Sequence, residues 1–123
     1  EGDGVRIERI GRPYTRLVDD LELSPGMAGI PIRAASKAAP EEGGLNIEGL
    51  AAGPDGSLWI GFRSPLLPGD RCLLVPLLNP AGVLAGEPGR FGPPATLDLE
   101  GRAVRDIAWT GREFFLIGGD QCT

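Results

Sequence analysis

The chain has 123 residues, 41% hydrophobic and 24% charged, an ordinary globular composition that allows one domain at most. Its net charge of −5 and its scattered arginines argue against nucleic acid as a partner, because phosphate binding needs clustered positive charge. It contains no His, which excludes a Ser-His-Asp triad, a Cys-His pair and any His-bearing metal site.

No apolar run approaches the roughly 20 residues that a membrane-spanning helix needs, so we expect no membrane partner. The chain begins with the polar stretch Glu1-Gly2-Asp3-Gly4 and carries no secretory signal pattern. Three origins remain open: a cytoplasmic protein, an exported protein whose signal has been removed, or an internal fragment of a longer chain.

Residues 1–44 combine short β-like stretches with a connector. Val5 and Ile7 alternate with charged residues, which predicts a strand, and we expect this strand to be the outer one of a preceding sheet. The Leu-rich stretch at 17–23 fits either a strand or a short helical turn. Residues 33–39 have high helix propensity and are stopped by Pro40, so a short helix is predicted there.

Residues 45–100 alternate apolar runs with turn signals, and the 20 Gly and 12 Pro of the chain serve as punctuation rather than as low complexity. Strands at 45–52 and 57–63 around a turn at 53–56 predict a hairpin. Between loops at 64–70 and 79–82, the apolar run predicts a strand buried on both faces, in which Pro76 must face an edge or a bulge. A fourth strand is predicted at 95–100. Together these four strands have the anatomy of one complete propeller blade.

The pattern starts again at residues 101–123, the predicted start of the next blade. At an offset of 57 residues, without a gap, Ile107 falls on Leu50 and Ile117 on Ile60. This offset is close to the roughly 40–50-residue periods of propeller repeats. The predicted fold is therefore mainly β, with four-stranded antiparallel blades from a fragment of a larger β-propeller. The alternative is a small antiparallel sandwich or an α+β domain in which two similar hairpins pack by chance.

Repeat units of this kind cannot bury their faces alone. The predicted partners are therefore the remaining blades of a longer chain or other protein chains.

The stretch NIEGLAAGPDGSLWIGFRSPLLPGDRCLLVPLLNP, followed by RAVRDIAW, resembles an uncharacterised bacterial β-propeller family catalogued only as a domain of unknown function. More distantly it is similar to the phytase-like esterase propellers, which share the EGLA strand and a Pro-Asp-Gly turn. The resemblance covers about residues 44–120. It implies a six- or seven-bladed propeller of bacterial origin, whose location, the bacterial cytoplasm or outside it after removal of a signal, stays open. It implies no activity through the closer family, and calcium-dependent phosphate-ester chemistry through the phytase-like relatives.

Polar residues on the predicted inner strands form the candidate site: Asn46 and Glu48 on the first strand, Arg63 ending the second, and Arg105 and Asp106 on the next inner strand. The first strand of each blade lines the channel of a propeller, so the offset places Arg105 opposite Glu48 at one channel mouth. One hypothesis is a ligand or ion site in which Arg binds a carboxylate or phosphate. The other is a structural ring of salt bridges between blades.

The leading functional hypothesis is a module that binds a small ligand or a protein at the channel mouth, because no catalytic constellation is recognisable. The rival is a calcium-dependent phosphoesterase or lactonase, for which calcium is the one cofactor considered. Calcium takes six to eight oxygen ligands, and Glu48 and Asp106 are the only candidates placed to supply them. The third hypothesis is a structural fragment of a larger assembly.

Cys72 lies in an apolar run and is predicted to be a buried small hydrophobe, whereas Cys122 is predicted to be free. A disulfide between them is the alternative, in an oxidising compartment. Trp59 and Trp109 are predicted to pack in the core or between blades, the alternative being a stacking platform for a sugar or a base.

Overall fold

The computed structural model describes residues 4–120, which form two antiparallel sheets and a layer of short helices, a mainly β fold. The strands are β1 (Asn46–Ala52), β2 (Leu58–Leu67), β3 (Arg71–Leu77), β4 (Ala95–Asp98), β5 (Ala103–Trp109) and β6 (Phe114–Gly119). The α-helices are α1 (Leu17–Glu22), α2 (Ile32–Ala35) and α3 (Pro80–Leu84), with 3₁₀ turns at Pro25–Met27 and Pro40–Glu42. Within this part of the chain no helix has the length and apolar character needed to cross a membrane.

Strands β1 to β4 form an antiparallel meander in the order β1-β2-β3-β4, and β5 and β6 form a separate hairpin. The predicted turn at 53–56 connects β1 to β2. Gly53 N donates to Ser57 O at 2.8 Å, and Asp55 Oδ1 accepts from Ser57 N at 3.2 Å. Such Asx contacts stabilise a tight turn. The predicted four-stranded sheet and the hairpin that follows it are therefore present.

Strand β3 is buried on both faces, as its apolar run predicts. Pro76 lies beyond Leu74, the last residue of β3 that pairs with β4, and its carbonyl accepts from Gly92 N at 2.9 Å. The adjacent Leu77 forms an isolated bridge with Phe91, so Pro76 faces the segment before β4 and not an open edge, and its missing N–H falls outside the β3–β4 ladder.

The N-terminal helical layer covers one face of the four-stranded sheet. Leu21, Met27 and Ile32 are at most 3% exposed and belong to the same core cluster as Ile60 and Phe62 of β2. This burial holds helices of four to six residues that are too short to be stable alone. The alternative of a short helical form for residues 17–23 is the correct one.

The helix predicted at 33–39 begins one residue earlier and ends at Ala35. The Ala35 carbonyl accepts the N–H of Leu45 at 2.9 Å as the chain enters β1. A longer α-helix would need that carbonyl for the N–H of Ala39. Entry into the sheet therefore ends the helix.

Three further predictions need correction. The strand predicted around Val5 and Ile7 is not formed: residues 4–16 adopt neither helix nor strand, and these two side chains are 95% and 93% exposed, with no neighbouring strand to pair with. The loop predicted at 64–70 is shorter, because β2 runs on to Leu67 before a turn in which Asp70 has a φ of 57°. The turn predicted at 79–82 begins α3 instead, with Pro80 at the first helical position, where no N–H is needed.

The β5–β6 hairpin packs on the other face of the sheet, with β5 over β1 and β2. Gly49 and Gly61 lie opposite each other in the β1–β2 pair and leave room for Val104 and Ile107 of β5. A Cβ added at Gly61 would lie 2.8 Å from Val104 Cγ1, well inside the normal separation of two carbon atoms. The close approach of the two sheets therefore depends on these glycines.

The strand pairing in the two hairpins departs by one residue from the ungapped alignment of their sequences at an offset of 57. Ile60 pairs with Leu50, whereas Ile107 pairs with Leu116 and not with Ile117. The connection from β5 to β6 is one residue shorter than the connection from β1 to β2, so β6 is displaced by one position. Because side chains alternate along a strand, Ile117 lies on the exposed face, and its predicted correspondence with Ile60 is wrong.

Candidate functional site

Three of the predicted site residues lie at irregularities of the strand pairs. Glu48 is an extra residue of β1, and Arg63 is an extra residue of β2. Arg105 is the extra residue of β5, where the register with β6 shifts. A bulge re-aims the side chain of the additional residue and ends the regular alternation. The bulges therefore direct these three charged side chains toward one another.

Glu48 lies between the two arginines. Arg63 Nη1 donates to Glu48 Oε1 at 3.2 Å, and Arg105 Nη1 donates to Glu48 Oε2 at 3.2 Å. Arg105 Nη2 also donates to the main-chain oxygen of Asp120. The predicted contact between Glu48 and Arg105, residues from the two different sheets, is therefore present. We call Glu48, Arg63 and Arg105 the arginine cluster.

The arginine cluster is partly open to solvent and brings two guanidiniums to one carboxylate. Its side chains are 27% exposed for Glu48, 18% for Arg63 and 23% for Arg105. A guanidinium presents five N–H donors in a planar fork that matches the oxygens of a carboxylate or a phosphate. The arginine cluster therefore holds the kind of donor groups that recognise carboxylates and phosphates.

Of the other two predicted site residues, Asn46 lies at the start of β1 and Asp106 faces away from the arginine cluster. Asn46 opens β1 opposite Ser64 and is half-buried. Asp106 is exposed, and its Oδ1 accepts from the main-chain N–H of Ile107 at 2.8 Å. Because Ile107 points toward β1 and β2, Asp106 faces the opposite side of the hairpin. Three of the five predicted residues are thus joined to one another by hydrogen bonds.

The residues predicted to hold calcium do not fit that ion. Both carboxylate oxygens of Glu48 accept from guanidiniums, and Asp106 lies on the other side of the hairpin. Across residues 4–120 no group of three or more His, Cys, Asp or Glu side chains is arranged to hold a metal ion. Six to eight oxygen ligands cannot be assembled from the predicted pair.

The two tryptophans pack around one phenylalanine, as the packing hypothesis predicts. The ring centroids of Trp59 and Phe114 are 5.8 Å apart in a T-shaped arrangement, and those of Trp109 and Phe114 are 4.7 Å apart. Trp59 belongs to the four-stranded sheet and Phe114 to the hairpin. Their contact therefore helps to hold the two sheets together.

Cys72 is buried, as predicted, and its Sγ donates to the Arg102 carbonyl at 2.9 Å. Burial raises the pKa of the Cys72 thiol. Cys122 lies outside the described residues, so its bonding state stays a prediction.

Sequence reasoning missed Asp20, whose side chain is 2% exposed. Its Oδ2 accepts from Tyr14 OH at 2.7 Å and from Gly89 N at 2.9 Å, and Arg16 lies nearby. Burial opposes ionisation, but these donors and the Arg16 charge outweigh it and hold the pKa of Asp20 below its ordinary 3.8. Burial, followed by the bond to Asp20, raises the pKa of Tyr14. Asp20 therefore joins α1 to the loop before β4, and no local pattern distinguishes it from the adjacent Asp19.

Compared with known proteins, the chain matches no family model, no curated protein sequence and no solved structure.

Proposed function

We propose that this chain supplies one complete blade and the inner hairpin of the next blade of a β-propeller, and that the arginine cluster at the channel mouth binds a small anionic ligand. The observation that carries the proposal is the convergence of two guanidiniums on one partly exposed carboxylate, from the bulges of adjacent sheets. A carboxylate or a phosphate is the ligand group that this donor geometry favours.

The propeller arrangement is supported by how the two sheets stack. A four-stranded meander with a second hairpin packed over its first two strands is the relation expected of neighbouring blades. Glu48 and Arg105 are both bulge residues, 57 positions apart and in contact, which supports the assignment of β1 and β5 as equivalent inner strands.

Further blades, from a longer chain or from other protein chains, complete the propeller in this proposal. The exposed apolar side chains of Phe115 and Ile117 on β6 support it.

The arginine cluster also joins the two sheets, and a purely structural role makes a different prediction from a binding role. Glu48 competes with an incoming anion for the same donors. Glu48→Gln keeps the size of the side chain and removes its charge. A binding site should then hold anions several-fold more tightly, whereas a structural ion pair only loses stability.

The test is a titration of the isotope-labelled chain with inorganic phosphate and with succinate, at constant ionic strength maintained with chloride. The Nε–H signals of Arg63 and Arg105 in NMR spectra report binding. We expect saturable shifts, and an affinity at least about tenfold lower in Arg63→Gln, because charged hydrogen bonds contribute about 1.5–3 kcal/mol each.

The matched control is Arg71→Gln. Arg71 is an exposed residue whose guanidinium hydrogen-bonds to Thr96, away from the arginine cluster. This variant should bind as the unmodified chain does. Equal affinities for Arg63→Gln and Arg71→Gln, or an unchanged affinity in Glu48→Gln, would contradict a binding role.

A further inference from the structure

One face of the β5–β6 hairpin is apolar and open. The hairpin packs on β1 and β2 through Ile107, and the opposite face carries Ala108, Phe115 and Ile117 beside Asp106. Phe115 is 61% exposed and Ile117 is 60% exposed. We call these four residues the outer face: Asp106, Ala108, Phe115 and Ile117. Adjacent exposed apolar side chains of this size mark a contact surface.

The same chain shows what covers such a face. Ala51 pairs with Trp59 in β1–β2, and Ala108 pairs with Phe115 at the corresponding place in β5–β6. Ala51 is 8% exposed, because the following hairpin packs over it, and Phe114 of that hairpin contacts Trp59. The outer face of the β5–β6 hairpin is therefore laid out like the face of β1 and β2 that the β5–β6 hairpin buries.

We infer that a second copy of this chain packs its β1 strand on the outer face, so that copies associate head to tail. The inference rests on the propeller arrangement proposed above. Leu50 in β1 stands where Ile107 stands in β5, and it is 58% exposed. The helical layer on that side covers β2 and β3 and leaves Leu50 open. A second copy can therefore place Leu50 over Ala108 and Phe115.

The charges of the arginine cluster are complementary to this arrangement. Within one chain Glu48 contacts Arg105, which occupies the equivalent position of the next hairpin. In a head-to-tail stack, β1 of the second copy is the strand that packs next to β5, and it brings Glu48 of that copy beside Arg105. Carboxylate and guanidinium then alternate along the channel mouth, and every contact joins opposite charges. Two outer faces packed on each other would instead bring together two Asp106 carboxylates.

The contact is wider than the one within the chain. Ile117 occupies on β6 the place that Gly61 has on β2. Gly61 lets β5 approach β2 closely, whereas the Ile117 side chain fills the equivalent space on the outer face and keeps an incoming strand farther away. A head-to-tail contact uses two different surfaces and continues until a ring closes. Since propellers have about four to eight blades and each chain supplies two sheets, about two to four copies would close it.

Sedimentation velocity of the full chain over a wide concentration range tests the inference. We expect concentration-dependent association, weakened at least about tenfold by Phe115→Glu and by Leu50→Glu, because each places a charge in the buried centre of the contact. Ile117→Lys should act like Phe115→Glu. Leu23→Glu is the matched control, since Leu23 is also an exposed apolar residue, at 77%, but lies at the end of α1.

A mixture of two variants gives the sharpest result. Phe115→Glu keeps an intact β1 surface, and Leu50→Glu keeps an intact outer face. Each alone should stay monomeric, whereas the mixture should form a one-to-one dimer that does not grow, because a single intact junction is possible. Circular dichroism spectra, and urea midpoints measured at a concentration where the unmodified chain is monomeric, should equal those of the unmodified chain and so establish that each variant is folded.

Several results would overturn the inference. They are a monomeric unmodified chain at every concentration, association that survives Leu50→Glu, or association that is lost in Val5→Glu but not in Leu50→Glu. The last would make the segment around Val5 the occupant of the outer face. A monomer that still binds phosphate would refute head-to-tail assembly alone, and an assembly that ignores phosphate would refute the ligand proposal alone.

Discussion

Gly61 is a position where a single methyl group should cost stability. Its Cβ would lie 2.8 Å from Val104 Cγ1 and 3.3 Å from Gly49 Cα. Val104 is fully buried and β-branched, so it cannot change rotamer without losing its packing. Overpacking of this kind costs about 1–3 kcal/mol, and Ala regains about 0.5–1 kcal/mol because it loses less backbone entropy than Gly. The difference between these two terms centres on about 1 kcal/mol, so we expect Gly61→Ala to lower the free energy of unfolding by about 1 kcal/mol, and by no more than about 2.5 kcal/mol.

A double-mutant cycle assigns this loss to the pair. Val104→Ala alone should cost about 1–3 kcal/mol through the cavity that it creates. Because the methyl group of Ala at position 61 would occupy part of that cavity, the double variant should be about 1 kcal/mol more stable than the sum of the two single changes predicts. Urea denaturation followed by circular dichroism gives the three differences.

Gly118→Ala is the matched control. Gly118 also lies in a strand, and the nearest atom to an added Cβ is Arg102 Cβ at 3.4 Å, an ordinary van der Waals contact. This variant should be neutral or stabilised by up to about 1 kcal/mol. Equal losses at Gly61 and Gly118, or additivity of Gly61→Ala with Val104→Ala within about 0.5 kcal/mol, would refute the close approach of β5 to β2.

Two further predictions concern buried ionisable groups. Asp20→Asn should lower the free energy of unfolding by about 2 kcal/mol, because Tyr14 and Gly89 lose a charged acceptor. The pKa of Asp20 is lower in the folded than in the unfolded chain, so its contribution is present above pH 3.8 and is lost as the pH falls through the folded value. Urea titrations at falling pH should therefore show a smaller acid loss in the variant. In a Cys122→Ser background, a thiol reagent should modify Cys72 only at the rate of unfolding, since burial raises the pKa of its thiol; rapid modification of the native chain would contradict this.

Much of the sheet could be predicted because its signals are local. The alternation at 57–63, the turn at 53–56 and the continuous apolar run of β3 each depend on a few neighbouring residues. The end of α2 could not be predicted in this way, because the Ala35 carbonyl is taken by Leu45, beyond the next turn of the chain. The missing strand at Val5 has the same cause, since alternation shows that a stretch suits a sheet and not that a sheet edge lies beside it.

The arginine cluster, too, could be predicted only in part from the sequence. The contact of Glu48 with Arg105 followed from an offset alone, because equal positions on stacked hairpins lie side by side. The bulges could not be predicted, since a bulge is a property of two paired strands. Gly49 and Gly61 inside strands were the available sequence signal for the close approach of another strand. The burial of Asp20 had no such signal, because it depends on Gly89 from a distant loop.

The one-residue difference between the two hairpins determines what the outer face presents. Had β6 followed the ungapped superposition, Leu116 and Gly118 would point away from the four-stranded sheet, in the places of Trp59 and Gly61. The shorter connection rotates the alternation by one residue, so that larger side chains, Phe115 and Ile117, take those places. With a glycine at the place of Ile117, another strand could approach this surface as closely as β5 approaches β1 and β2. The observed surface lacks that glycine and offers two protruding side chains instead. The length of a single turn therefore decides whether this face presents a glycine gap or two exposed apolar side chains.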